Sequence, residues 1–184
     1  MREIEVKARL RNKIDFLAAA DKLGIAFGQP IAQDDTTYEA DLSYDDPNWN
    51  LFRLRKQSGK LILTMKHKAS SRSRDNYEYE TLVENESEVV KMLERLGYKF
   101  GVEINKKRRI AKYNDLELCL DEIEHLGNFV EVEKLAGDDA DVDAVQNELW
   151  ILLAQLGIHQ DDRIHQGYDT LMRQFNSGFK VVPL

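Results

Sequence analysis

Outside its helical stretches the chain alternates apolar and charged residues with period two, and this pattern constrains its fold more than any other feature. Ile4, Val6 and Ala8 alternate with Glu3, Glu5, Lys7 and Arg9, and Phe52 and Leu54 with Arg53 and Arg55. Leu63 and Met65 alternate with Thr64, Lys66 and Lys68, and Tyr77 and Tyr79 with Glu78 and Glu80. Leu116, Leu118 and Leu120 alternate with Glu117, Cys119 and Asp121, and Val130 and Val132 with Glu131 and Glu133. Each segment reads as a strand with one apolar and one charged face. The pattern predicts eight strands, over about 2–9, 26–41, 50–57, 60–68, 75–84, 99–112, 115–123 and 128–135, with turns at Pro47-Asn48, Ser58-Gly59, Asn114-Asp115 and Gly127-Asn128.

Helical periodicity interrupts the alternation. Asn12 is placed to cap a helix that Gly24 ends, with Ile14, Phe16, Leu17 and Ala20 among its buried candidates. A second helix runs from about Glu86 to Leu96 before Gly97, with Val89, Met92, Leu93 and Leu96 at helical spacing. A third starts behind Asp141 and puts Val142, Val145, Leu149, Leu152, Leu153 and Leu156 on one stripe, and a fourth is expected from about His165 to Phe175. Glu3-x-Glu5 precedes a helix ending Leu23-Gly24, and Glu78-x-Glu80 precedes one ending Leu96-Gly97, a spacing that suggests two related halves of one closed sheet. No Pro/Gly/Ser-rich linker divides the chain, so residues 1–184 are expected to form a single domain.

Composition narrows the function. Lys and Arg number 26 against 33 for Asp and Glu, a formal charge of −7 that argues against duplex nucleic acid as a partner. No apolar run is long enough to span a bilayer and the amino terminus has no apolar leader core, so a cytoplasmic chain with no membrane contact is expected. The single cysteine, Cys119, excludes an internal disulfide and any multi-cysteine zinc site. It reads as a small wall residue rather than a nucleophile, since no histidine lies at a partnering position. His67, His125, His159 and His165 lack zinc-protease spacing.

The charged face has two readings. An open sheet would leave it in water. Helices covering the apolar face would instead let eight strands close with the charges inside a small lumen, and closure removes the sheet edges. Seven acids (Glu3, Glu5, Glu78, Glu80, Asp121, Glu131, Glu133) stand against Lys7, Arg53, Arg55, Lys66, Lys68 and two members of the run Lys106-Lys107-Arg108-Arg109, near neutrality but too many to leave unpaired in a dry cavity. Two like charges 4 Å apart repel by about 4 kcal/mol at an effective dielectric of 20, so clustering Glu3, Glu5, Glu131 and Glu133 calls for a divalent cation. All-oxygen ligation points to Mg²⁺ or Mn²⁺ rather than zinc, and the basic cluster calls for an anion with many oxygens, which a polyphosphate supplies. Lys68, beside His67, and Arg72-Ser73-Arg74 read as solvated surface near the tunnel mouth, and Trp49 as a cover for an entrance or as packing beside the turn at Pro47.

These residues carry a resemblance. Glu3-x-Glu5-x-Lys7 is similar to the signature of the triphosphate tunnel metalloenzymes, the CYTH superfamily. The similarity continues in order through Leu51-Phe52-Arg53-Leu54-Arg55, Leu63-Thr64-Met65-Lys66, Tyr77-Glu78-Tyr79-Glu80, Lys106-x-Arg108, Asp121, Leu126-Gly127-x-Phe129 and Glu131-Val132-Glu133. It implies an α+β fold, an eight-stranded antiparallel closed β-barrel with helices packed outside, binding a small-molecule triphosphate with Mg²⁺ or Mn²⁺. The family holds class IV adenylyl cyclases, thiamine triphosphatases and inorganic triphosphatases, and the opening Glu3–Arg9 and the stretch 127–133 resemble the cyclase-type branch.

By matching position, the resemblance implies that Glu3, Glu5, Asp121, Glu131 and Glu133 hold metal and that Lys7, Arg53, Arg55, Lys66, Lys106 and Arg108 hold phosphates. Alternation counted from Ile104 instead turns Lys107 and Arg109 toward the charged face, and a bulge would reconcile the two. Glu78 and Glu80 either orient the bases or hold a second cation. Lys7 or Lys66 is the expected proton acceptor, on condition that its pKa falls. ATP, thiamine triphosphate and tripolyphosphate are the candidate substrates, in a monomer or homodimer. A triphosphatase and a non-catalytic polyphosphate or nucleotide binder are the alternatives to a cyclase. The closing segment Arg163–Leu171 matches the family loosely, with Gly167 where a serine commonly precedes the tyrosine.

Overall fold

A computed structural model of the chain describes residues 2–42, 46, 49–70 and 74–178. The turn expected at Pro47-Asn48, the residues Arg72 and Ser73, and the tail Val181–Leu184 lie outside them. In chain order the elements are β1 (Arg2–Arg9), α1 (Lys13–Lys22), β2 (Ile31–Glu39), β3 (Asn50–Gln57), β4 (Lys60–Lys68), β5 (Asp75–Val83), α2 (Glu86–Arg95), β6 (Lys99–Tyr113), β7 (Leu116–Ile123), β8 (Gly127–Ala136), α3 (Val142–Gln155) and α4 (Tyr168–Asn176). The strands close into an antiparallel barrel in the order β1-β5-β4-β3-β2-β6-β7-β8.

Local chemistry accounts for the boundaries. The Asn12 side chain accepts from the Ile14 and Asp15 amides at 3.1 and 3.2 Å, and that of Asp141 accepts from Asp143 and Ala144 at 3.0 and 3.1 Å, satisfying donors that a helix start leaves open. Gly24 and Gly97 end α1 and α2 at φ of +73° and +92°, where a side chain would be strained. Strand β2 starts at Ile31 rather than near residue 26, because Pro30 cannot donate to a ladder and the loop before it is held by the Gly28 amide on Ile110 O at 2.9 Å. Helix α4 starts at Tyr168 rather than His165, since Arg163 bridges to Ala8 and the Ile164 amide donates to Lys7 O at 2.9 Å, extending the edge of β1.

The topology carries the repeat. Each half runs strand, helix, three strands, and exchanging β1–β4 with β5–β8 leaves the order around the barrel unchanged. The outward faces meet the helices. Val6, Ala8, Leu118, Leu120, Val130 and Val132 pack under α1 and α3 with Phe16, Leu149 and Leu153, while Tyr38 and Leu54 pack under α2 with Leu93. A third cluster is different in kind, because Ile104, Ile123 and Phe129 share the inward parity of Lys106, Asp121 and Glu131. With Tyr168, Leu171 and Met172 of α4 they form an apolar plug at one end of the barrel.

The plug settles the conflict along β6. The β2–β6 register slips between Thr36↔Glu103 and Tyr38↔Phe100, a bulge upstream of Ile104, so Ile104 faces inward and cannot mark the outer face. Lys106 and Arg108 therefore point into the barrel, and Arg109 turns outward to bond Gly28 O at 2.8 Å and Phe27 O at 3.2 Å.

The shortest seam is β1–β5, with register pairs only from Arg2↔Tyr77 to Ile4↔Asp75. Arg2 secures it with Asp75 at 2.8 and 3.2 Å and with the Gly137 and Asp138 carbonyls at 3.0 and 2.7 Å. Asp75→Ala would strand the buried Arg2 guanidinium, so a loss of about 3 kcal/mol or more is expected in urea unfolding. A loss under about 1 kcal/mol would show that this pair does not hold the seam.

Candidate active site in the barrel lumen

The inward parity of all eight strands gathers the charged residues around a cavity of about 740 Å³. Of the residues singled out in the sequence, Glu3, Glu5, Lys7, Arg53, Arg55, Lys66, Glu78, Glu80, Lys106, Arg108, Glu131 and Glu133 line it. Bases gather on one arc of the wall and acids on the arc across from it, each flanked by residues of the other sign, Asp35, Glu78 and Glu80 beside the bases and Lys7, Lys106 and Arg108 beside the acids. Strands β3 and β4 supply Arg53, Arg55 and Lys66, and β7 and β8, across the barrel, supply Glu117, Glu131 and Glu133. Asp121, expected among the metal ligands, is outside the cavity lining. Both its oxygens are engaged by Arg108, at 2.7 and 2.5 Å, with Lys106 at 3.7 Å.

The charges neutralise one another within the protein. Lys7 Nζ meets Glu131 at 2.7 Å, and Arg108 bonds Glu131 and lies 3.8 Å from Glu133. Arg53 meets Glu80 at 3.0 Å and Glu78 at 3.8 Å, Lys66 pairs with Glu78, and Thr64 bonds both Arg53 and Glu80. Glu78 and Glu80 thus hold the basic wall in place. Buried Nε atoms of Arg53 and Arg74 have no acceptor among the described residues, and an orphaned donor of this kind costs about 1–3 kcal/mol until an acceptor reaches it.

Besides Glu117 of the acidic wall, three further members of the site were not foreseen. Asp35, from β2, forms a two-pronged pair with Arg55 at 2.7 and 2.8 Å, but Gln33, Asp34, Thr36 and Thr37 around it are polar on both faces, so no alternation marks it. Arg74, read as solvated surface, lines the cavity, bonding Glu5 at 2.7 Å and the Gln166 carbonyl. Tyr168 enters from α4 with Lys7 Nζ 3.5 Å from its ring centroid. The tyrosine of the closing segment was the available signal for it. Trp49 lines the cavity, and Cys119 is a buried wall residue whose thiol is pushed well above its usual range by burial and by Glu133.

Burial and neighbouring charge separate the carboxyls into two sets. Burial, with Glu133 and Glu78 nearby, pushes Glu3 up to about 10, and burial lifts Glu133 to about 8 against the pull of Arg108. Despite burial, Lys66 and Arg53 hold Glu78 at about 2, and Lys7 and Arg108 hold Glu131 well below the usual range. Among the lysines, burial and Arg74 lower Lys7, and burial and Arg108 lower Lys106 to about 8. Lys66 goes the other way, raised by Glu78 despite its burial. The condition set for a proton acceptor is therefore met at Lys7 and not at Lys66, with Lys106 as a second lysine of the right kind.

The acidic wall fits a hard divalent cation. Oxygens of Glu5, Glu131 and Glu133 lie within 4.8 Å of one another, an all-carboxylate donor set suited to Mg²⁺ or Mn²⁺. A second group, Glu117, Cys119 and Glu133, meets the same distance limit, but its soft sulfur donor suits Mg²⁺ or Mn²⁺ less well than the all-oxygen set.

The family profile described as the CYTH domain matches residues 1–168. A Methanocaldococcus jannaschii protein bearing the name "putative adenylate cyclase" is 30% identical over 170 residues, which is 91% of this chain and 97% of its own length. A solved Pyrococcus horikoshii structure aligns with a TM-score of 0.77 at 27% identity, covering 92% of this chain and 98% of that one. A Hippeastrum protein, whose structure is described as that of a "putative adenylyl cyclase" with a dominant triphosphatase activity, shares the fold with a TM-score of 0.60 at 18% identity, covering 98% of both chains.

Carboxyls held at about 8 and about 10 keep protons at pH 7 that an unfolded chain has released. Without a divalent cation, stability should therefore fall as pH rises from about 5 to about 8, above which the lowered Lys7 and Lys106 act with the opposite sign. Cation binding at pH 7 should release protons, read as a buffer-dependent heat in calorimetry. Equal heats in buffers of different ionisation enthalpy would contradict these protonation states.

Proposed function

The chain belongs to the CYTH domain family, and from that premise we propose that it is a divalent-cation-dependent enzyme of the class IV adenylyl cyclase type, turning ATP into cyclic AMP and pyrophosphate inside one tunnel domain. The observation that carries this reading is the divided lumen. Arg53, from β3, keeps an unpartnered buried Nε donor across the barrel from the Glu5, Glu131 and Glu133 carboxylates of β1 and β8, and Arg74, whose Nε is also unpartnered, stands beside Glu5. A polyphosphate chelated to a cation satisfies both walls at once. A cavity of about 740 Å³ falls in the range of about 300–1,000 Å³ that encloses a whole organic ligand, which favours a nucleoside triphosphate over bare tripolyphosphate.

In this reading Glu5, Glu131 and Glu133 hold the cation, with Glu3 beside them. Mg²⁺ or Mn²⁺ held there would neutralise charge on the phosphates and make the attacking hydroxyl more acidic. Arg53, Arg55, Lys66 and Arg74 grip nonbridging oxygens and stabilise the charge that develops on the departing pyrophosphate. Asp35 and Asp121 aim Arg55 and Arg108, which fixes the forks before a ligand arrives. The ribose 3′-hydroxyl attacks the α-phosphorus and expels pyrophosphate, and its proton passes to one of Lys7 and Lys106, the one that has lost its proton, while the other remains an ammonium group against the phosphates. Hydrolysis of thiamine triphosphate, tripolyphosphate or a nucleoside triphosphate would use the same walls with water as the nucleophile, and the Hippeastrum protein of this fold is described as having a dominant triphosphatase activity.

Incubation with ATP, thiamine triphosphate and tripolyphosphate plus Mg²⁺ or Mn²⁺ tests the proposal. Cyclic AMP with pyrophosphate is expected, orthophosphate would replace the cyclase by a triphosphatase, and saturable binding without turnover would leave a non-catalytic binder. Glu131→Gln should lower turnover by about a hundredfold or more without unfolding the barrel. Lys66→Ala should raise KM for the triphosphate by about tenfold, and an unchanged KM would remove Lys66 from the phosphate wall.

A further inference from the structure

Helix α4 brings one aromatic ring to the place where two lumen cations meet. Tyr168, its first residue, is buried, with Lys7 Nζ at 3.5 Å and Lys106 Nζ at 5.3 Å from the ring centroid. Phe129 fixes the ring from the side, edge-on at 5.2 Å and 66°. Ammonium groups drawn to one ring repel each other, and the negative π face offsets part of that repulsion, most effectively where water is excluded. Water is excluded here, since Lys7 is 2% and Lys106 6% exposed. The Tyr168 hydroxyl has no hydrogen-bond partner among the described residues, so the contacts that tie the residue to the lysines belong to the ring.

The carboxylate partners of these lysines are not theirs alone. Glu131, 2.7 Å from Lys7, also bonds Arg108 and belongs to the cluster that fits a divalent cation, and Asp121 is committed to Arg108. A ring is a partner for which the cation does not compete. We propose that the Tyr168 ring is a positioning residue that seats the Lys7 and Lys106 ammonium groups for the phosphate chain, which makes the closing helix part of the binding site. This rests on the triphosphate reading above.

Calorimetric titration with tripolyphosphate in excess Mg²⁺ tests it on the wild-type chain, Tyr168→Leu, Tyr168→Phe and Met172→Ala. Tyr168→Leu should bind about ten- to thirtyfold more weakly, the range of a desolvated cation–π contact, and Tyr168→Phe should recover affinity to within about twofold of wild type. Met172→Ala loosens α4 in the apolar plug while keeping the ring, so it should lower thermal stability and leave affinity within about threefold. The Lys7 ε-methylene protons should carry an upfield ring-current shift in wild type and Tyr168→Phe, lost in Tyr168→Leu. Wild-type affinity in Tyr168→Leu overturns the proposal, as does a Tyr168→Phe variant as weak as Tyr168→Leu, which would move the role to the hydroxyl. Equal weakness in Met172→Ala overturns it too, because docking of α4 would then explain the loss. A wild-type chain that binds neither tripolyphosphate nor ATP would instead refute the triphosphate reading, while the ring-current shift would still show whether the ring seats Lys7.

Discussion

Ion pairs enclosed by a closed sheet are the constraint on which everything else in this protein depends. Charged side chains from eight strands enter one lumen, where most are tolerable because a partner of opposite sign reaches them and Glu3 and Glu133 because they keep their protons. The pairs Lys7–Glu131, Arg55–Asp35 and Lys66–Glu78 join neighbouring strands, so the arrangement that makes the lumen electrostatically acceptable also stitches the barrel wall. A ligand that brings its own positive and negative groups can take over half of each pair without leaving the other half bare.

The helices follow from the same inversion of the sheet. With the charges turned inward, the apolar faces point outward and need covers, which α1, α3 and α2 provide over Val6, Leu118, Val130 and Leu54. Helix α4 has a different task, since it seals one end against Ile104, Ile123 and Phe129, residues that face into the barrel. That seal keeps water from Lys7 and Lys106, and burial is what lowers both lysines.

Most of the barrel was legible because its strands contrast so sharply between faces. Glu3-Ile4-Glu5-Val6-Lys7 or Phe129–Glu133 admits one orientation once a closed sheet is assumed, and strands drawn at 50–57 and 60–68 carry those bounds in the structure. Legibility failed where the contrast vanished. In Gln33-Asp34-Asp35-Thr36-Thr37 both faces are polar, which hid Asp35, and at Ile104 an apolar residue faces inward, which set the alternation count against the spacing that selects Lys106 and Arg108. Arg74 and Tyr168 come from a turn and a helix end, where no period exists to assign a side. The division of the carboxyls into protonated and ionised sets was out of reach as well, since it depends on which strands become neighbours across the barrel.

Strand β1 is laddered to β8 from Arg2↔Ala136 to Arg9↔Phe129, so the first residues of the chain wait for partners more than a hundred positions downstream. On an emerging polypeptide, Glu5 and Glu131 stay apart until the last strand has been made, and no product that stops short of β8 contains both halves of the acidic wall. Ligand capture is therefore an all-or-none property of a finished molecule, and a long-range ladder of this kind places assembly among the slow, high-contact-order reactions.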